Sequence, residues 1–190
     1  MKPFRRAEGR IAVLDRPDVD TDQIVPKQFL KRIDRTGFGA FLFYDWAKDP
    51  AFELNREEAR GATILVTGRN FGCGSSREHA AWAIQDAGFE VVVAPSFGDI
   101  FRTNCLKIGL VPVVLSEAQV KALAAQGSGA ELTVDLESQE IGPYTFDFDP
   151  FERRCLLEGL DDIGLTFEHA DEITAFEAAH PSPVDTRAVR

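Results

Sequence analysis

A glycine-rich turn between two apolar runs constrains the fold of this chain more than any other feature. Residues 62–67 and 91–94 are rich in β-branched side chains, so both runs are predicted to be buried strands. Residues 78–87 between them favour a helix, which Gly88 ends. The segment 68–80 is therefore predicted to be the strand-to-helix turn of a β-α-β unit, at the sheet edge where ligands bind.

The turn, G-R-N-F-G-C-G-S-S-R-E-H-A, has the composition of an anion site. Its three glycines allow positive φ angles and the close approach of a ligand. The helix that follows directs its free N–H groups at the turn, and Ser75, Ser76 and Arg77 add two hydroxyls and a five-donor cation. We expect a small carboxylate or a phosphate. The turn has neither the Gly-Lys-Ser/Thr of a P-loop nor the Gly-x-Gly-x-x-Gly of a dinucleotide site.

Simpler structural roles compete for the same side chains. Ser75 and Glu78 have the S-x-x-E spacing of a capping box, so Ser75 taken alone is explained by helix capping, and Arg77 by an ordinary surface charge. Two serines, an arginine and three glycines at one helix start favour a site instead. Cys73 is a candidate low-pKa nucleophile, but no base can be assigned to it.

The composition bounds the class of protein. A chain of 190 residues forms one substantial core, and we expect a single domain over 1–180 with a disordered tail over 181–190. The net charge of −10, without a Lys/Arg-rich run, argues against a nucleic-acid or anionic-membrane partner. No apolar run reaches the roughly 18 residues of a membrane span, and the basic N-terminus lacks a signal-peptide core. A cytoplasmic protein is expected.

The candidate ligands for a metal show no metal-binding spacing. The cysteines and histidines are Cys73, Cys105, Cys155, His79, His169 and His180. They form no C-x-x-C pair and no iron–sulfur run, and the histidines are interpreted as structural or surface residues. Asp18, Asp20 and Asp22 alternate like the start of a calcium loop, but Gln23 and Phe29 occupy the positions where an EF-hand needs glycine and glutamate. Asp18 and Asp20 are interpreted as turn or cap residues.

The rest of the chain alternates between predicted strands and helices. Further strands are expected at 9–14 and 110–115, a hairpin at 131–141 and 144–148, and helices at 99–108, after a capping Ser116, at 151–158 and at 168–179. The connecting segments are an acidic loop at 15–22, a basic patch at 27–32, an aromatic short helix or ordered loop at 38–46, a polar helix or connector at 55–60 and a linker at 163–166.

Five separated strings occur in one order: D-T-D-Q-I, P-K-Q-F-L, R-T-G-F-G, N-F-G-C-G-S-S-R-E-H-A and I-F-x-x-N. Together they resemble the small subunits of bacterial 3-isopropylmalate dehydratases, which belong to the aconitase superfamily. The resemblance covers about 9–179. The G-S-S-R-E-H string is specific for the superfamily, and the segment from P-K-Q-F-L through D-W is typical of the isopropylmalate members.

The resemblance implies a fold and a reaction. The fold is α/β, an aconitase-type swivelling domain with a compact mixed sheet or half-barrel flanked by helices around the central β-α-β unit. The reaction is the isomerisation of 2-isopropylmalate and 3-isopropylmalate by dehydration and rehydration in leucine biosynthesis. The partner is a large subunit, in a heterodimer, that carries a [4Fe-4S] cluster whose iron acts on the departing hydroxyl. No cofactor is expected on this chain itself.

The family pattern also implies roles for residues. Ser75 is the base, as an alkoxide that the helix-start N–H groups and Arg77 stabilise, and Ser76 and Arg77 hold a carboxylate of the small dicarboxylate substrate. Asp22 supports proton handling near the site.

A basic substrate-binding residue is expected shortly after Asp22. Lys31 and Arg32 are the leading candidates, and Lys27 is also possible. Relatives with other substrates diverge over 27–37, so this segment is expected to face the isopropyl group and, as a hypothesis, to become ordered on docking.

Three other functions fit parts of the pattern. The nearest is the same reaction on homoaconitate or on methylmalate/citraconate, since a pocket discriminates one methylene by only about 1–3 kcal/mol. A stand-alone anion- or nucleotide-binding module, with Ser75 as a cap, is the alternative from a different class. An enzyme that uses Cys73 is the third.

Overall fold

Seven strands form one mixed sheet in this computed structural model, which describes residues 1–32 and 35–180. The strands are β1 (Arg6–Leu14), β2 (Ile64–Thr67), β3 (Val91–Ala94), β4 (Val111–Val114), β5 (Glu131–Asp135), β6 (Glu140–Ile141) and β7 (Tyr144–Thr145). The α-helices are α1 (Thr21–Ile24), α2 (Glu78–Asp86), α3 (Asp99–Ile108), α4 (Glu117–Ala124), α5 (Pro150–Glu158), α6 (Asp162–Phe167) and α7 (Ala170–Ala179).

The sheet has a parallel half and an antiparallel half. Its strand order is β4-β3-β2-β1-β5-β6-β7, with β1 to β4 parallel and β5 to β7 antiparallel. In the parallel half Ile11 pairs with Ile64, and Val66 with Val93. Because β1, β2 and β3 are adjacent and parallel, their carboxyl ends meet at one sheet edge. The sheet curls into a half-barrel flanked by helices, so the expected α/β fold class is confirmed.

Each face of the parallel half is covered by its own core, which explains why β2 and β3 are buried at every position. On one face Leu65 packs in a cluster with residues of α2 and α3, including Ala83 and Phe101. On the other face Val66 packs in a cluster that includes Val120 of α4, together with Leu156 of α5. Strands buried on both faces produce continuous apolar runs, and such runs made these strands recognisable in the sequence.

The aromatic segment after the basic patch packs on the α2 side of the sheet. It contains the 3-10 helices Phe38–Phe41 and Trp46–Lys48, and Phe38 and Phe43 are fully buried. The ring of Trp46 stacks on Phe43 at 5.6 Å between centroids, and the guanidinium of Arg16 lies 4.5 Å from the Trp46 ring centroid. The interpretation as an ordered segment is confirmed, and most of its aromatic area is core. The polar connector after it forms two further 3-10 helices, Glu53–Asn55 and Glu57–Ala59.

The structure departs from the sequence prediction most clearly in three places. The predicted linker at 163–166 is wrong, because these residues belong to α6, where the Asp161 carboxylate accepts a hydrogen bond from the Gly164 N–H at 2.8 Å. The predicted hairpin contains an additional turn, since the Asp135 carboxylate accepts the N–H groups of Glu137 and Ser138, each at 2.9 Å, and so ends β5. The last helix begins at Ala170 instead of residue 168.

Two predictions fall outside the described part of the chain. The tail at 181–190 is not described, and neither are residues 33–34 within the 27–37 segment. Within residues 1–32 and 35–180, no helix combines the length and the apolar character needed to cross a lipid bilayer.

Candidate active site

The loop between β2 and α2, residues 68–77 and hereafter the site loop, is anchored on one side to the segment that follows β1. The Gly72 N–H donates to the Val19 carbonyl at 2.7 Å, and the Thr21 N–H donates to the Cys73 carbonyl at 2.9 Å. The Thr21 hydroxyl donates to the Ser75 carbonyl at 3.0 Å. Thr21 is 1% exposed, so these bonds are shielded from water. They fix the backbone of Ser75 while its side chain stays at the surface.

The other side of the site loop is anchored to the segment that follows β3. The Phe71 N–H donates to the Ser96 carbonyl at 3.0 Å, and the Gly98 N–H donates to the Phe71 carbonyl at 2.9 Å. The Asn70 N–H donates to the Ser96 hydroxyl at 2.9 Å. The loop therefore lies between the ends of the two strands that flank β2, at the carboxyl edge where the sequence predicted a ligand site.

The three loop glycines serve two different needs. Gly72 has φ 74° and Gly74 has φ 93°, so both lie in the left-handed region that the sequence predicted. A Cβ at Gly72 would also stand 2.2 Å from the Phe101 ring. Gly68 does not have a positive φ; it is required because a Cβ there would lie 2.4 Å from the Arg16 carbonyl oxygen.

Ser75 does not cap the helix. The first helical residue is Glu78, and the N-cap is Arg77, with no side chain bonded to the helix start. The S-x-x-E string is thus displaced by two residues from the position of a capping box, and the capping interpretation of Ser75 is wrong. Both Ser75 and Ser76 are exposed. Their hydroxyls stand immediately before the positive end of a nine-residue helix.

Arg77 is held by Asp22 through both terminal nitrogens. Its Nη2 donates to Asp22 Oδ2 at 2.9 Å, and its Nη1 donates to Oδ1. The arginine side chain is 15% exposed, whereas the aspartate is 49% exposed. Asp22 is itself positioned by α1, whose N-cap Asp20 and third residue Gln23 form a reciprocal capping box. The interpretation of Asp20 as a cap is confirmed, and Arg77 is not an ordinary surface charge.

The site can therefore offer a serine hydroxyl, a helix start and an oriented cation to an anion. A guanidinium has five N–H donors, and the end-on contact with Asp22 occupies two of them. Three donors remain for another partner, including the Nε–H on the side of the guanidinium away from that contact. A carboxylate can thus still be held by two parallel bonds, provided that it approaches from the Nε side.

Comparison with known proteins shows the family. Residues 1–118 match the family model of the aconitase C-terminal domain, and residues 162–182 match the model of the C-terminal domain of 3-isopropylmalate dehydratase small subunits. A 3-isopropylmalate dehydratase small subunit of Koribacter versatilis is 56% identical, covering 95% of this chain and 100% of that one. The chain belongs to the 3-isopropylmalate dehydratase small-subunit family. A Geobacillus kaustophilus member is 54% identical, covering 96% and 100% of the two chains.

A solved structure agrees with this family assignment. The crystal structure of 3-isopropylmalate dehydratase from Methanocaldococcus jannaschii is 26% identical to this chain, with a TM-score of 0.69. The alignment covers 90% of this chain and 98% of that one. The family assignment is thus supported by the fold as well as by the sequence.

The basic candidates of this small-subunit family member lie on a separate segment. Lys27 begins a 3-10 helix, Lys27–Phe29, and Lys31 and Arg32 follow it. All three side chains are exposed. The guanidinium of Arg32 lies 5.2 Å from the Phe41 ring centroid, so it contacts the aromatic segment. The structure brings Asp22 and Arg77 together, whereas the assignment of Lys31 or Arg32 to the substrate stays a prediction.

Two titratable groups beside the site have structural environments. Burial lowers the pKa of His79, and Arg77 adds to this while Glu78 opposes it. The His79 ring packs edge-on against Phe38 at 5.0 Å, in agreement with a structural role. Burial raises the pKa of the Cys73 thiol, and the carboxylates of Asp20 and Asp18 raise it further. An activated thiolate needs the opposite shift, so the environment of Cys73 does not support a cysteine nucleophile.

The cysteines of this chain do not fit an iron–sulfur cluster. Cys73 lies in the site loop, Cys105 is buried in α3 with a raised pKa, and Cys155 lies in α5. Cluster ligands are thiolates from several cysteines that converge on one point. Among the residues that the structure describes, no three His, Cys, Asp or Glu side chains converge in this way.

One site residue, Thr21, was missed by the sequence analysis. It lies inside the D-T-D-Q-I string between two aspartates that attracted attention for their charge. Its hydroxyl bond to the Ser75 carbonyl spans 54 positions. The only signal in the sequence was a neutral residue between two charged ones. In the structure Thr21 is buried, whereas its neighbour Asp22 is exposed.

Proposed function

We propose that this chain is the small subunit of a 3-isopropylmalate dehydratase of leucine biosynthesis. With a large subunit it interconverts 2-isopropylmalate and 3-isopropylmalate by dehydration and rehydration. The observation that carries the proposal is the set of Ser75, Ser76 and Arg77 at the start of α2, with Arg77 fixed by Asp22. Family membership supports the same reaction.

In this proposal Ser75 is the base. Its oxygen takes the proton from the carbon beside a substrate carboxylate during dehydration and returns a proton during rehydration. A serine hydroxyl is a very weak acid, so its anion needs strong local stabilisation. The free N–H groups at the start of α2 and the cation of Arg77 supply it. The bond from Thr21 to the Ser75 carbonyl fixes the backbone that carries this hydroxyl, three residues before the first residue of α2.

Arg77 and Ser76 hold the substrate carboxylate. The end-on contact of Arg77 with Asp22 leaves its Nε side for two parallel bonds to the carboxylate. Such a contact fixes both the distance and the plane of the substrate, which orients the reacting carbon toward Ser75. Asp22 then acts through Arg77 as a positioning residue, and its negative charge is already balanced by the guanidinium.

The remaining half of the active site belongs to the large subunit in this proposal. The [4Fe-4S] cluster resides there and supplies a Lewis-acidic iron when bound. One of Lys27, Lys31 and Arg32 reaches the substrate, because they lie on the segment that carries the family's isopropylmalate-type string. The compartment is the cytoplasm.

Mixing the two subunits tests the reaction. The chain is purified alone and combined anaerobically with the isopropylmalate dehydratase large subunit of the same source. The ultraviolet absorbance of the unsaturated intermediate is followed with 3-isopropylmalate, homoaconitate and methylmalate. We expect no signal from either protein alone and turnover of 3-isopropylmalate on mixing. If only another of these acids were turned over, the substrate assignment would change to that acid. If a complex formed but turned over none of the acids, the proposal would be overturned.

A further inference from the structure

The three C-terminal helices expose large apolar side chains that belong to neither hydrophobic core of the described residues. Five of the seven such side chains among residues 1–32 and 35–180 lie there: Phe151, Ile163, Phe167, Ile173 and Phe176. Phe167 is 71% exposed and Phe176 is 64% exposed. Neither α6 nor α7 contributes a buried residue. We call these five side chains the C-terminal apolar face. Exposed apolar side chains concentrated in this way are typical of an interaction surface.

The middle one of these helices, α6, is fixed to the body of the protein at its start. The Met1 ammonium lies 3.3 Å from the Asp161 carboxylate, and Lys107 Nζ lies 3.9 Å from that of Asp162. Arg154 of α5 forms an ion pair with Glu168, after the end of α6. A shallow groove of about 510 Å³ runs between α5, α6 and α7. Both ends of α6, the helix that carries Ile163 and Phe167, are thus anchored.

A depression in the surface connects the start of α2 with the start of α6. The depression, of about 290 Å³, is lined by Glu78 and Trp82 of α2 and by Asp161, Asp162 and Ile163 at the start of α6. Glu78 follows Arg77 directly, and Trp82 stands about one helical turn further on. A partner that covers Ser75 and Arg77 and extends along α2 would therefore reach the start of α6.

The charge of the segment indicates which partner it accepts. Residues 161–180 contain six carboxylate side chains and no lysine or arginine. A second copy of this chain would bring two such acidic segments together, and an anionic lipid surface would repel them. Apolar side chains surrounded by carboxylates instead match an apolar surface rimmed by lysine and arginine.

The family models point to the same partner. The general aconitase model ends at residue 118, whereas the model specific to these small subunits matches residues 162–182. That range includes four of the five side chains of the C-terminal apolar face. A segment specific to a family of small subunits, whose helices α6 and α7 bury no side chain against the described part of the chain, is explained by contact with the other subunit.

We propose that the C-terminal apolar face is a docking surface for the large subunit, and that it binds apolar side chains rimmed by basic ones. The proposal rests on the proposed function, because it takes the large subunit as the partner. Phe167 and Phe176 are its main anchors, since buried aromatic side chains dominate binding energy at such interfaces.

A double variant, Phe167→Glu with Phe176→Glu, tests the docking surface. Ala118→Glu with Ala122→Glu on α4 is the matched control, since both alanines are exposed and α4 contributes no side chain to the C-terminal apolar face. The dissociation constant for the large subunit is measured by calorimetry, and turnover is measured at increasing concentrations of the large subunit. We expect the double variant to bind roughly 30-fold more weakly, with wild-type kcat recovered at saturation, and the control to bind as wild type does.

Two results would overturn the docking proposal. One is a folded double variant that binds the large subunit as tightly as wild type. The other is a wild-type chain that dimerises alone through this face, loses the dimer in the double variant and keeps its affinity for the large subunit. Intact binding without turnover of any diacid would count against the proposed reaction alone, because the affinity measurement decides the docking surface independently.

Discussion

The direction of the Arg77 guanidinium is set by a residue 55 positions away. Asp22 occupies both terminal nitrogens, so rotation of the guanidinium about its stem would break two charge-assisted bonds. Arg77 is largely covered, which limits the alternative rotamers that it can adopt. The pair therefore holds the guanidinium in one orientation, and this orientation is the basis of the proposed carboxylate site.

Replacing Asp22 with asparagine should remove this orientation. We expect kcat/KM of the mixed enzyme to fall by roughly 100-fold, with a raised KM, because a misplaced guanidinium binds the substrate carboxylate poorly. Asp22 is about half exposed, so the melting temperature should be unchanged. Steady-state kinetics with the large subunit measures the effect. Asp45→Asn, which breaks an exposed ion pair with Lys48, is the control, and equal kinetics for the two variants would refute the positioning role.

His79 should give the protein a pH-dependent stability. Its pKa is lowered in the folded state, so the unfolded chain binds more protons near and below the usual value of about 6.5. The stabilisation from neutral His79 is present above that pH and is lost as the pH falls below it. Nuclear magnetic resonance should show a titration midpoint of His79 below pH 6.5. On acidification, the free energy of unfolding measured in urea should fall less in His79→Gln than in wild type. A midpoint at or above 6.5 would contradict the burial argument.

At the scale of elements, the site loop depends on glycine where the backbone and a neighbouring ring both exclude a Cβ. Gly72→Ala combines a left-handed φ of 74° with a Cβ 2.2 Å from Phe101. We expect a loss of roughly 2–4 kcal/mol in the free energy of unfolding, measured by urea denaturation. Gly127→Ala separates the two effects, since Gly127 has φ 81° and open space around it. Gly127→Ala should lower the free energy of unfolding by about 1 kcal/mol. Equal losses in the two variants would show that the contact with Phe101 does not contribute.

Elements set by local signals were predictable from the sequence. The strands buried on both faces gave apolar runs, and Ser116 with Gln119 forms the predicted capping box of α4. The same S-x-x-E reasoning failed at Ser75, because the Thr21 hydroxyl holds the Ser75 carbonyl and the helix starts only at Glu78. A distant contact thus overrode a local preference.

Helix α6 was missed for the same kind of reason. Its sequence, with Gly164 inside it, has weak helical propensity. The Asp161 cap and the pairing of Asp161 with the Met1 ammonium stabilise its start, and that pairing joins residues 160 positions apart. No local pattern reports such a contact.

At the scale of the whole molecule, the parallel sheet explains how the site is assembled. Strands β1 and β2 are neighbours, so the segments that follow them, with Asp22 and with Ser75 to Arg77, meet at one edge. The sequence analysis marked both segments as functional, and the family resemblance assigned roles to their residues. It did not predict that Asp22 binds Arg77, because that contact depends on the strand order.

The central claim is that this chain supplies the base of a site that two subunits share. The most direct test is turnover of 3-isopropylmalate by the mixed subunits with Ser75→Ala, using Ser138→Ala as the control, since Ser138 is an exposed serine in the β5–β6 turn. We expect Ser75→Ala to bind the large subunit as wild type does and to lose at least roughly 1,000-fold in kcat, and Ser138→Ala to keep full activity. A Ser75→Ala complex with near wild-type kcat would contradict the account.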